Sequence, residues 1–130
     1  DETVHTKGSR EWLGFLTQVV EQKSILMHFQ PFNIFKDKNE MVYESLLRLK
    51  NDVGELMPAG VFMPMIEFHE LSPMFDLLIL DKIIEKILAE SGTRHYSVNL
   101  SCPSLDNPGF VQNALMKIQQ LGSLAKCLTI

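Results

Sequence analysis

A glutamate and an arginine lie two residues on either side of a leucine in one predicted β-strand, 42–49. Because side chains alternate across a strand, Glu44, Leu46 and Arg48 share one face, and the other face is mainly apolar. A carboxylate can ligate a metal ion, and a guanidinium can hold a phosphate. The alternative interpretation is an exposed strand face on which both charged groups are simply solvated.

A later predicted strand, 96–101, repeats this two-faced pattern with Ser97, Asn99 and Ser101 on its polar side. In a central parallel strand the outward face packs on helices, so the polar faces of both strands are expected to point inward. Polar groups that converge in an interior need partners. Asn99 and Glu44 offer hard oxygen ligands suited to Mg²⁺ or Mn²⁺. A structural hydrogen bond is the alternative role for Asn99.

The spacing of apolar residues predicts an α/β chain. After a helix over 9–22, a short polar turn at 36–40 predicts antiparallel pairing of a first strand, 25–35, with the second. Pro31 marks a bulge or an edge position in that first strand. Further along, the sequence predicts helices over 58–69 and 72–91 with Ser72 as an N-cap, the strand 96–101, a helix opening at Asn107, and a strand over 127–130.

Crossovers of this length imply parallel strands with helices outside, which fits an open doubly wound sheet or a barrel. No glycine-rich phosphate loop follows any predicted strand, so the barrel is favoured. A complete barrel needs about 250 residues. The 130-residue chain is roughly half of that length, with its first strand predicted to be antiparallel to the second.

Composition narrows the class of protein. The net charge of −4, without any basic stripe, argues against a nucleic-acid polymer as partner. No apolar run is long enough to span a membrane. Cys102 and Cys127 are isolated, as in reduced cytoplasmic proteins, although a longer parent protein could still carry an anchor. Residues 1–8 are interpreted as a linker, and the apolar ending at Ile130 predicts a fragment of a longer domain.

The ordered motifs resemble those of the EAL domain family, which hydrolyses the bacterial messenger cyclic di-GMP. The resemblance covers about residues 9–130, and its N-terminal helix resembles the lead-in from an upstream diguanylate-cyclase-like domain. Four segments carry it: Phe29-Gln30-Pro31, Glu44-Ser45-Leu46-Leu47-Arg48, Pro58-Ala59-x-x-Phe62-Met63-Pro64-Met65-Ile66-Glu67, and Ser97-Val98-Asn99-Leu100-Ser101.

The resemblance implies that the chain is the N-terminal half of a TIM-like (β/α) barrel with an antiparallel first strand. It also implies a role for each matching residue. Glu44 corresponds to the catalytic motif glutamate that ligates a metal, and Asn99 to the asparagine that also reaches the metal. Leu46 corresponds to the leucine that lines the nucleotide pocket, and Arg48 to the arginine that holds a ligand phosphate. Gln30 corresponds to the glutamine near the ligand at the mouth of the site.

The resemblance also implies Mg²⁺- or Mn²⁺-assisted hydrolysis of cyclic di-GMP to the linear dinucleotide, with the remaining ligands beyond Ile130. The alternative is an inactive EAL-like domain that serves as a cyclic di-GMP receptor or a protein-interaction module.

An exposed sheet edge predicts a homodimer or a swapped assembly. An upstream GGDEF or sensor domain is expected in the parent protein.

Two further expectations concern single side chains. Ser45 replaces the alanine of the family motif. It is expected on the outward face against a helix, where a small residue suffices and the hydroxyl could bond locally, so little loss is expected. Asp76 and Asp81 flank an apolar run, and both are expected to be solvated.

Overall fold

Strands and helices alternate in the computed structural model, which describes residues 7–33 and 41–130. The elements are α1 (Ser9–Gln22), β1 (Leu26–Asn33), β2 (Met41–Lys50), β3 (Leu56–Met57), α2 (Ala59–Phe68), α3 (Ser72–Ala89), β4 (His95–Ser97), α4 (Cys102–Leu105), α5 (Pro108–Gln119), a 3₁₀ helix (Gly122–Cys127) and β5 (Leu128–Thr129).

The sheet has the order β1-β2-β4-β5, with the short strand β3 paired to β2 beside this path. β1 is antiparallel to β2, whereas β2, β4 and β5 run parallel. Both relations confirm the predicted topology. The predicted turn at 36–40 and the last two residues of the predicted first strand lie outside the described residues.

Pro31 does not interrupt β1, which runs unbroken from Leu26 to Asn33. In the β1–β2 register Pro31 lies opposite Tyr43, and β1 is the edge strand of the described sheet. A proline lacks the N–H that an inner strand would need, so an edge position is compatible with it. Of the two predicted possibilities, the edge position is correct and the bulge is not.

One face of the sheet forms the core. Ser45, Leu47 and Leu49 of β2 are buried, as are Tyr96 and Val98 at β4. Helix α2 contacts β2 and α3 contacts β4, so this face is covered by helices as the sequence pattern predicts. We call it the core face, and the opposite face, which carries Glu44, the open face.

The ends of several elements differ from prediction. The strand predicted over 96–101 is paired only to Ser97, and the strand predicted over 127–130 only at Leu128–Thr129. Helix α3 ends at Ala89, and Gly92 completes the exit from the helix with a φ of 73°. Ser72 is the first residue of α3 and is buried, whereas Leu71 holds the N-cap position.

Tyr96 anchors the core face and is fully buried. Its ring meets that of Phe29 edge-on, with 5.1 Å between centroids, and its Oη donates a 2.7 Å hydrogen bond to Oε1 of Glu90. Burial, and secondarily the hydrogen bond to Glu90, raise the pKa of Tyr96 to about 12. The folded state therefore retains the phenolic proton at a pH where the unfolded chain has lost it.

This shift predicts a pH dependence of stability. The unfolded tyrosine has a pKa near 10, so the stabilisation is complete below pH 10 and is lost as pH rises towards 12. The free energy of unfolding should fall by roughly 1–3 kcal/mol across this window, as measured by urea unfolding. Tyr96→Phe should flatten this decline, and an equal decline in both proteins would contradict the assignment.

Candidate functional site

A row of polar side chains crosses the open face of the sheet. Gln30 of β1 lies opposite Glu44 of β2, Glu44 lies opposite Ser97 of β4, and Ser97 lies opposite Thr129 of β5. Residues in register on neighbouring strands point to the same face and lie side by side. The row therefore joins the predicted residues Gln30 and Glu44, and it adds Thr129, which sequence reasoning did not single out.

Asn99 and Glu44 come together as predicted. Nδ2 of Asn99 lies 3.4 Å from Oε2 of Glu44, although the two residues are 55 positions apart in the sequence. Asn99 follows Ser97, the last paired residue of β4, so it extends from the carboxyl end of a parallel strand. Active sites of β/α barrels form at that end of the strands.

Leu46 and Arg48 continue along the open face from Glu44 and are half-buried. Arg48 lies four residues from Glu44, which corresponds to roughly 13 Å along a strand. Its Nη1 donates a 2.8 Å hydrogen bond to the carbonyl oxygen of Leu47. None of the ion pairs among the described residues involves Arg48, so no carboxylate there competes with an anionic ligand.

A cavity of about 180 Å³ lies beside these residues, between the sheet and helices α2 and α3. Its lining includes Leu46, Asn99, Ser101 and Asp76, together with Glu67 at the end of the predicted Pro58–Glu67 motif. Glu67 was not predicted as a site residue, although its place in that motif was a usable signal. Residues from three of the four motifs therefore line the same cavity.

A larger cavity, about 570 Å³, lies at the other end of the strands, where Met41, Tyr43, Arg94 and His95 line it. It contains none of the predicted site residues. Size alone therefore does not favour it over the smaller cavity that Asn99 and Leu46 line.

Glu44 and Asn99 could supply part of the ligand set of a metal ion. A carboxylate and a carboxamide oxygen match the preference of Mg²⁺ and Mn²⁺ for hard oxygen ligands. The amide of Asn99 would need to turn, because its Nδ2 now faces Glu44. Across residues 7–33 and 41–130, no group of three or more His, Cys, Asp or Glu side chains could hold a metal. Such an ion would keep several water or ligand oxygens, as Mg²⁺ commonly does.

The expectation that Asp76 is solvated is wrong. Its side chain is buried, and its Oδ2 accepts hydrogen bonds from Ser101 and Ser104. The partners are distant in sequence, so the apolar run around Asp76 gave no sign of them. Asp81 is partly exposed and pairs with Nζ of Lys117 at 2.8 Å.

Ser45 also differs from expectation. The residue is buried on the core face, and its Oγ has no hydrogen-bond partner among the described residues. The predicted local hydrogen bond is therefore not formed. A buried hydroxyl without a partner costs free energy, so alanine fits this position at least as well.

Comparisons with known proteins agree with this geometry. The sequence model described as "EAL domain" matches residues 15–130. Helices on one face of a partly parallel sheet, with an antiparallel first strand, define an α/β protein of the TIM-barrel-like class. The chain belongs to the EAL domain family.

Solved structures support the fold. The FimX EAL domain of Pseudomonas aeruginosa bound to c-di-GMP has a TM-score of 0.74 and 28% identity, covering 85% of this chain and 45% of that one. The Vibrio cholerae LapD S helix-GGDEF-EAL structure has a TM-score of 0.79 and 18% identity, covering 94% and 30%. This chain thus spans less than half of each protein.

A sequence comparison finds a further relative. An uncharacterized 76.5 kDa protein in the phbC 3' region of Thiocystis violacea is 29% identical over 75 residues. The match covers 58% of this chain and 11% of that protein.

Among the helices that the structure describes, none is both long and apolar enough to cross a membrane.

Replacing Ser45 with alanine tests the packing behind Glu44. Ser45→Ala removes a buried, unpartnered hydroxyl without changing the backbone, so the free energy of unfolding should rise by about 1 kcal/mol. Urea unfolding of the two proteins measures the change. Ser97→Ala on the open face is the matched control and should change stability less. A clear loss of stability in Ser45→Ala would show that the hydroxyl does have a partner.

Proposed function

We propose that this chain contributes the first part of a site that binds cyclic di-GMP and hydrolyses one phosphodiester bond to give the linear dinucleotide. The observation that carries the proposal is the contact between Glu44 of β2 and Asn99, which lies just beyond the carboxyl end of β4. Support for the ligand comes from the FimX EAL domain, which is 28% identical and was solved with c-di-GMP bound.

Each predicted residue has a role in this proposal. Glu44 and Asn99 would hold Mg²⁺ or Mn²⁺ through oxygen atoms. When bound, such an ion supplies charge stabilisation at the phosphate and activates water for attack. Arg48 would hold a phosphate oxygen by charge-assisted hydrogen bonds, and Leu46 would pack against the ligand. Gln30, exposed beside Glu44, would contact the ligand at the mouth of the site.

A receptor without hydrolysis is the second candidate function. A hydrolytic site with two metal ions needs a larger acidic cluster than Glu44 and Asn99 provide, and the remaining ligands are expected beyond Ile130. Binding of cyclic di-GMP through Arg48 and Leu46 would not require such a cluster. Protein interaction driven by ligand binding would then be the output.

The assembly around the site is also a proposal. An upstream GGDEF or sensor domain is suggested by the LapD structure, in which GGDEF precedes EAL. A homodimer or swapped assembly would cover the exposed edge of the sheet. Cytoplasmic placement is proposed because Cys102 and Cys127 are both free thiols.

The variant Glu44→Gln distinguishes hydrolysis of cyclic di-GMP from binding of cyclic di-GMP. In the full-length gene product, Glu44→Gln should lower kcat for cyclic di-GMP in Mg²⁺ or Mn²⁺ by about 100-fold or more, because a charged ligand of the metal is lost. Chromatography of the linear product measures turnover, and calorimetry measures binding.

Glu85→Gln is the matched control, since Glu85 is exposed on α3. Equal turnover by wild type and Glu44→Gln would contradict the role of Glu44. Tight binding without turnover by the wild type would favour the receptor. Absence of binding would exclude cyclic di-GMP as the ligand.

A further inference from the structure

Asp76 connects helix α3 to the segment that follows Asn99. Its Oδ2 accepts a 2.9 Å hydrogen bond from the backbone N–H of Ser101 and another of 2.9 Å from the Ser101 hydroxyl. It also accepts a 2.6 Å hydrogen bond from the hydroxyl of Ser104, which is completely buried. A single carboxylate oxygen thus gathers three donors from a turn 25 to 28 residues away.

These contacts fix the chain on one side of Asn99. On the other side, the N–H of Val98 donates a 2.9 Å hydrogen bond to the carbonyl oxygen of Thr129 in β5. Asn99 lies between these two anchors, beyond the last paired residue of β4. Its position beside Glu44 therefore depends on both.

The hydroxyls of Ser101 and Ser104 cannot satisfy this cluster of donors without the carboxylate of Asp76. The hydroxyls of Ser101 and Ser104 each lie close to Oδ2 of Asp76, and they lie 2.9 Å from each other. Two hydroxyl protons therefore serve three oxygen–oxygen contacts. The Ser101 hydroxyl oxygen also accepts from the backbone N–H of Ser104 at 3.3 Å, which caps α4. A carboxylate accepts without needing a proton, so it can satisfy both hydroxyls and the Ser101 amide at once.

We propose that Asp76 is a positioning residue that holds the turn after β4 so that Asn99 faces Glu44 and binds the metal ion. This inference rests on the proposed function of the Glu44–Asn99 pair. Asp76 borders the same cavity as Asn99 and acts through the backbone at Ser101. It is not assigned any contact with the reacting atoms.

The test uses the full-length gene product and two readouts. Hydrogen exchange followed by mass spectrometry reports the mobility of residues 99–105, and electron paramagnetic resonance reports the affinity for Mn²⁺. Asp76→Ala should raise exchange in that segment and weaken Mn²⁺ binding, each on the order of tenfold, as removing the support of a metal ligand does. Asp76→Asn retains an acceptor oxygen and should recover much of both.

Two controls isolate the effect. Asp81→Ala removes an aspartate from the same helix whose partner is Lys117 on α5, and it should leave both readouts unchanged. In an Asn99→Ala background, Asp76→Ala should cause little further loss of Mn²⁺ affinity, because its effect passes through Asn99. If Asp76→Ala does not fold, Asp76→Asn carries the test through its smaller effect: its exchange should be faster and its Mn²⁺ affinity weaker than those of Asp81→Ala, and values equal to those of Asp81→Ala would overturn the role of Asp76.

The outcomes separate this inference from the proposed function. Unchanged exchange in residues 99–105, or faster exchange with unchanged Mn²⁺ affinity, would overturn the role of Asp76 even if Glu44→Gln abolishes turnover. An equal loss of affinity with and without Asn99 would overturn it too. If the wild type bound neither Mn²⁺ nor cyclic di-GMP, the proposed function would fail together with this inference, whatever the exchange result.

Discussion

The parallel pairing of β2 with β4 is the constraint on which the site depends. Because Glu44 is in register with Ser97, the segment leaving β4 must pass the open face directly beside Glu44. The pairing is held from the other face, where Tyr96 and Val98 are buried under the helices. Slippage by one residue would turn Glu44 into the core, at a large desolvation cost. The apolar core thus determines where the polar pair meets.

The face of β2 that carries Glu44 and Arg48 was predictable from the alternation of side chains in the sequence. A strand that alternates strictly has only two faces, and the need to bury Leu47 and Leu49 under helices leaves Glu44 and Arg48 on the other. The strand directions were predictable from connection lengths, because the few residues between β1 and β2 allow only antiparallel neighbours and the long crossovers after β2 allow parallel ones. The β1–β2 and β2–β4 pairings follow from these constraints.

Features that depend on distant partners were not predictable. Asp76 lies in an apolar run whose local pattern suggests a solvated charge, and only the folded chain brings Ser101 and Ser104 to it. Strand β3 has two residues, too few for a periodic signal. The shortened β4 has a related cause: the N–H of Val98 still bonds to Thr129 of β5, but the N–H of Ser101 bonds to Asp76 instead of to a strand.

The charged groups on the open face are half-buried, whereas the carboxylate of Asp76 is buried, and this distribution suits ligand binding. Glu44 and Arg48 are half-buried, which strengthens their interactions with an ionic ligand without the full cost of desolvation. The buried Asp76 has its hydrogen bonds satisfied by the protein and leaves the open face to Glu44 and Asn99. A rigid support behind exposed ligands is the arrangement that holds a weakly ligated ion in place.

Anomalous X-ray diffraction from crystals of the full-length gene product with Mn²⁺ tests the central claim most directly. The account predicts an anomalous peak in contact with both the carboxylate of Glu44 and the amide oxygen of Asn99. A Mn²⁺ peak that contacts neither residue, or Glu44 and Asn99 pointing to different faces of the sheet, would contradict it.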